Sequence, residues 1–165
     1  MNDSNRDMKE YIKSWGFPDC LKDCSSEYEY KFSPHGIINT NEAEEYLFDD
    51  RNFKFSIWNP STGLALFTMD FFKTPIQYSS KNPFIILELI YVHLPEWRKN
   101  GIASYYIKKL IQYAIEEKMD CIKVTPIADA VNFKNFDLSN AFSQQELVDY
   151  YKKWDSPEMP FEVVL

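Results

Sequence analysis

The chain has 165 residues, 45% of them hydrophobic and 17% aromatic, with 18 basic against 25 acidic side chains and a net charge of −7. That length suits one folded unit over 1–165, with enough apolar material for a core that needs neither disulfides nor a metal. The negative balance argues against nucleic-acid binding, which needs a basic footprint, and mildly favours a cationic small partner.

The opening "MNDSNRDMKEY" lacks the apolar stretch of a leader, and no apolar run nears the roughly 18 residues of a membrane span. Cys20, Cys24 and Cys121 fit no zinc-ribbon spacing. The expectation is a reduced, cytoplasmic protein with no membrane partner and no metal.

In chain order, Met8, Tyr11, Ile12 and Trp15 recur at helical spacing until Gly16 and Pro18 end the pattern. A short strand is expected over Glu27 to Phe32, then a helix in "NEAEEYLF" capped by Asn41 with Glu44 three residues on. Phe53, Phe55 and Ile57 alternate with polar residues, the period of a half-buried strand. "WNPSTG" turns the chain into a partner strand, "LALFTMDFF", whose apolar character leaves a homodimer open. "KTPIQYSSKNP" reads as a loop.

"FIILELIYVHL", Phe84 to Leu94, suits a central strand buried on both faces, broken only by Glu88. Ala103, Ile107, Leu110, Ile111 and Ala114 then form one apolar helical stripe, and "CIKVTPI" is the next strand. Strand, helix and strand make a βαβ unit with parallel neighbours. After a loop over 129–142, Ser143 and Glu146 form a capping box that opens "QQELVDYYKKW", and "PFEVVL" is a last strand. The sum is an α+β fold: a mixed, mostly antiparallel sheet flanked by helices, with a central βαβ unit.

Chemistry concentrates where the central strand meets its helix, at Arg98, Lys99, Asn100, Gly101, Ile102, Ala103 and Ser104. The first turn of a helix has N–H groups without intrahelical partners and partial positive charge, so it suits a phosphate group. Gly101 allows close approach of the backbone, Ala103 is small, and Arg98 and Lys99 add cations. The alternative is an ordinary strand-to-helix turn.

The segment "RKNGIA", preceded by "ELIYVHLPEW", resembles the signature Arg/Gln-x-x-Gly-x-Gly/Ala of the GCN5-related N-acetyltransferase superfamily. The resemblance covers about Phe84 to Val124 and is weaker to Trp154. Relative to the family pattern, one residue is extra near His93–Leu94, in a strand that commonly carries a bulge. The segment before the last helix is longer than usual, and one clear strand rather than two follows that helix.

The resemblance implies acetyl-CoA as cosubstrate, its diphosphate on the amides of 98–104 and its pantetheine beside Ile90, Tyr91 and Val92. A backbone N–H such as that of Val92 would polarise the thioester carbonyl. The acceptor would be a primary amine, which must lose a proton before direct attack. Glu88 is the candidate base, His93 competes with it, and Tyr151, beside Tyr150, is the candidate acid for the leaving thiolate. Leu147, Tyr151 and Trp154 share one helical face, so a core role for Tyr151 is the alternative. A small cationic amine is the expected acceptor. A protein or peptide amine, and a non-catalytic acyl-CoA sensor or interaction module, are the alternatives.

Overall fold

A computed structural model describes residues 3–32, 52–74, 83–126 and 141–165. Its centre is a hairpin of β2 (Asn52–Asn59) and β3 (Leu64–Lys73). Asn59 builds the turn: its Oδ1 accepts from the N–H of Ser61 at 2.8 Å and of Thr62 at 3.3 Å, while Gly63, at φ 71°, donates its own N–H to Asn59 O. This is the side-chain mimicry that suits Asn to tight turns.

Around the hairpin, β1 (Glu29–Lys31), β4 (Ile85–Val92), β5 (Ile122–Val124) and β6 (Phe161–Val163) complete one sheet in the order β1-β2-β3-β4-β5-β6. The junctions from β1 to β4 are antiparallel, and β4–β5 and β5–β6 are parallel. This is the mixed, mostly antiparallel sheet expected from the sequence. Helices α1 (Asp3–Lys13), α2 (Ile102–Glu116) and α3 (Gln144–Lys152) flank it, with α2 joining β4 to β5 as the expected βαβ crossover. Helix α3 joins the second parallel pair, and its Ser143 cap accepts from Glu146 N–H at 3.2 Å, as the capping box requires.

One sheet face carries an aromatic core. Phe53, Phe55 and Ile57 of β2 and Phe67, Met69 and Phe71 of β3 are buried together with Ile12, Trp15, Tyr106 and Leu110. The α2 stripe is wider than its aliphatic residues indicate: Tyr106 and Tyr113 are buried, while Ala103 and Ile111 are only half-buried. Tyr106 stacks on Phe67 at 4.8 Å. Its hydroxyl and that of Tyr30 donate to Gly16 O, and Tyr105 donates to Trp15 O. Carbonyls past the end of α1 thus gain partners, which lets three tyrosines sit against an apolar core.

Three expectations change. Strand β2 is not half-buried, because its polar side is covered too: Lys54 and Ser56 are buried opposite Asp70 and Thr68. Ser56 Oγ and Thr68 Oγ1 lie 2.8 Å apart, a hydrogen bond that makes such burial tolerable. Strand β3 is interior and buried from Ala65 to Phe71, so its apolar character serves the core. Strand β1 is shorter than expected, since a 3-10 turn takes Ser25–Glu27. Strand β4 is buried only at Ile85 and Leu87, and Glu88 is exposed. The helix expected at Asn41, residues 75–82 of the expected loop and residues 129–140 lie outside the described residues.

Candidate active site

Strand β4 is paired on one side along its length and on the other only at its start. Its parallel partner β5 meets Ile85, Ile86 and Leu87, whereas the β3 ladder continues to Val92. Past Leu87, therefore, β4 has an open edge among the described residues.

Backbone hydrogen bonds identify what that edge presents. The N–H of Ile85 donates to Cys121 O beside β5, while the N–H of His93 donates to Leu66 O on β3. Along a regular strand, residues an even number apart point their N–H groups the same way. The reversal requires an extra residue between them, and the register supplies it: Asp70 pairs with Leu89 and Phe71 with Leu87, leaving Glu88 as a bulge. The bulge falls at Glu88, upstream of His93–Leu94, where the chain has one residue more than the family pattern. With the alternation reset there, Ile90 and Val92 direct their N–H and C=O groups into the open edge.

The edge leads to the corner. Pro95–Trp97 form one 3-10 turn, Asn100 Nδ2 donates to Glu96 O and Arg98 O, and Lys99 and Gly101 take left-handed backbone at φ 61° and 91°. A Cβ added at Gly101 would meet no atom within 4 Å, so the space before it is open. The first bond of α2 runs from Tyr105 N to Gly101 O at 3.0 Å, and no side chain caps the helix. The N–H groups of Ile102, Ala103 and Ser104 thus face out of the helix end, where the macrodipole favours an anion. These donors fit a diphosphate.

The two cations diverge. Lys99 is half exposed, with Nζ 4.0 Å from Glu146 and 5.4 Å from the Phe142 ring centre, and so stays at the mouth of the corner. Arg98 does not point that way. It is 8% exposed, and its Nε donates to Val92 O at 2.9 Å, while Nη2 donates to Tyr91 OH at 2.8 Å and His93 O at 3.4 Å. The guanidinium expected as a second phosphate cation is folded back onto the strand.

The adjacent tyrosines of α3 point to different places. Tyr151 is buried and stacked on Phe161, and burial pushes its hydroxyl pKa up. Tyr150 reaches the corner instead, its hydroxyl 2.9 Å from Ser104 Oγ in the first turn of α2. Burial raises its pKa as well, with the Ser104 hydrogen bond opposing the rise.

Glu88 extends from the bulge into solvent, next in sequence to the open-edge segment. His93 is held inward: Nε2 is 2.8 Å from Thr68 Oγ1, which in turn meets Ser56. Burial, reinforced by the Arg98 charge, lowers the His93 pKa to about 4. The imidazole is therefore a neutral tie between β3 and the end of β4.

Sequence reasoning missed Thr68, Ser56 and Tyr150. The signal for Thr68 was present, because it interrupts the apolar run from Leu64 to Met69, whereas Ser56 sits at one of the polar positions of β2.

No family model matches the chain, and no curated protein matches it. Solved structures similar to it include a transcriptional regulator from Bacillus halodurans C-125, at 21% identity and a TM-score of 0.40, over 58% of this chain and 65% of that one. An aminoglycoside acetyltransferase from an uncultured soil metagenomic sample is 18% identical with a TM-score of 0.43, over 71% of this chain and 64% of its own. A ribosomal-protein-alanine N-acetyltransferase from Brucella melitensis biovar Abortus 2308 is 21% identical with a TM-score of 0.37, over 46% and 51%. The matched segments span less than two thirds of the length of each of these three structures.

Proposed function

We propose that the open β4 edge and the α2 N-terminus bind acetyl-CoA, and that the chain transfers its acetyl group to a primary amine. One observation carries this reading: a strand edge that β5 leaves open past Leu87, among the described residues, leads directly onto a helix N-terminus. A ligand with an extended, amide-bearing arm ending in a diphosphate matches both halves. The arm would pair with the Ile90 and Val92 backbone beside Tyr91. The diphosphate would take the amides of Ile102, Ala103 and Ser104, with Lys99, Asn100 and Gly101 shaping the approach.

The chemistry follows from what the residues offer. The amine nitrogen forms a bond to the thioester carbonyl carbon as the C–S bond breaks. The Val92 N–H is the fixed donor for charge developing on the carbonyl oxygen. Glu88 takes the proton lost by the amine, through water, and Tyr150 returns one to the departing thiolate. The exposed Glu88 carboxylate and the net charge of −7 favour a small cationic acceptor.

The test is release of CoA thiol from acetyl-CoA across a panel of amines that includes di- and polyamines. Amine-dependent release is the expected result. Tight acetyl-CoA binding without turnover on any amine, including peptide amines, would replace the enzyme with a non-catalytic acyl-CoA module.

A further inference from the structure

Arg98 is the one member of the expected phosphate corner whose charge is turned elsewhere, and its hydrogen bonds indicate another task. In a regular parallel pair, the Val92 carbonyl would accept from an amide of the neighbouring strand. Strand β5 stops pairing at Leu87, five residues earlier in β4. The carbonyl is then satisfied by Arg98 Nε at 2.9 Å. The same guanidinium binds Tyr91 OH and His93 O and lies 5.2 Å from the Tyr91 ring centre. Three consecutive residues at the end of β4 are thus fixed by one planar group, which suits the rigid fork of arginine.

We propose that Arg98 is a positioning residue that substitutes for the missing β5 amide at Val92 and marks the end of the ligand-binding edge. Its charge is not a phosphate contact. An extended arm laid on the edge finds the Val92 N–H and the Ile90 groups available, but meets an occupied Val92 carbonyl. The bound arm consequently has one register, set by the protein before any ligand arrives. Holding the Val92 peptide plane also fixes the direction of its N–H. The register and rate consequences rest on the acyl-CoA reading; the brace itself does not.

The experiment compares wild type with Arg98→Met and Arg98→Lys. Amide hydrogen exchange is read in the ligand-free protein, with acetyl-CoA affinity at low and high salt and turnover at saturating cofactor measured in parallel. The reporter amide is that of His93, which donates to Leu66 O at 2.8 Å. A brace predicts exchange at His93 faster by about tenfold or more in Arg98→Met, because the end of β4 opens locally. Affinity should stay within about threefold at both salt concentrations, while turnover falls by about tenfold or more, since loss of transition-state contacts alone lowers the rate of the bound complex. Lysine should recover part of both.

Weakened, salt-dependent affinity with unchanged exchange would make Arg98 a phosphate ligand and overturn the proposal. Unchanged exchange with unchanged turnover would overturn it too. If Arg98→Met does not fold, Tyr91→Phe removes one of the two Nη2 partners and should give smaller changes in the same direction. A wild type that binds no acetyl-CoA refutes the acyl-CoA reading, and exchange at His93 still decides the brace.

Discussion

His93 makes stability depend on pH in a way that one substitution isolates. Its imidazole is enclosed by Thr68 Oγ1 and the Tyr91 ring, with Arg98 bound to its own carbonyl, and burial followed by the Arg98 charge lowers its pKa from 6.5 to about 4. The unfolded chain therefore binds a proton between these values that the folded chain refuses. Stability from this group is complete above about pH 6.5 and is lost as pH falls toward about 4.

With about 1.36 kcal/mol per pKa unit, the linkage expression gives a loss of about 2.5 kcal/mol between about pH 7.5 and about pH 4.5. Carboxylates titrate in the same range, so the informative quantity is the difference from His93→Gln, which keeps a hydrogen-bonding group for Thr68 but does not titrate. Urea unfolding of both proteins at the two pH values measures it. Wild type should lose about 2.5 kcal/mol more than the variant. Equal losses would mean that the folded protein accepts the proton as readily as the unfolded one, and the inward tie would be wrong.

Other expectations concern the chemistry. Glu88→Gln should lower acetyl transfer near neutral pH without loss of acetyl-CoA affinity, and a pH–rate profile identical to wild type would remove Glu88 from the mechanism. Tyr150→Phe should slow turnover at saturating cofactor by about tenfold or more, as for loss of a general acid. Tyr151→Phe should leave turnover near wild type, because its ring is packed on Phe161; the opposite ranking would return the role to Tyr151.

Much of the scaffold was legible because its signals are local. The "NPSTG" turn, the Ser143 cap and the alternation of Phe53, Phe55 and Ile57 depend on residues close in sequence, and each appears where expected. The corner was legible for the same reason, since Gly101 at positive φ and the helix start after it are neighbours. The site details were not local. The bulged residue is Glu88 because Asp70 and Phe71 choose Leu89 and Leu87, a cross-strand register that the β4 segment alone does not contain. Similarly, adjacent tyrosines on α3 point to different places, and only the position of α3 against α2 and β6 brings Tyr150 to Ser104 and Tyr151 to Phe161. For Arg98 the motif suggests a cation beside an anion site, whereas its hydrogen bond to the Val92 carbonyl, beyond the reach of β5, is a second use that the local segment does not reveal.

The most direct test of the central claim is calorimetric titration of acetyl-CoA into wild type and Gly101→Trp, with the fold of both followed by circular dichroism. The added side chain must occupy the open space before α2, and the positive φ of 91° adds strain of about 1–2 kcal/mol. The account expects saturable binding by wild type, and binding by the folded variant weaker by about a hundredfold or undetectable. No binding by wild type, or equal binding by both proteins, would contradict it and leave the corner as a turn.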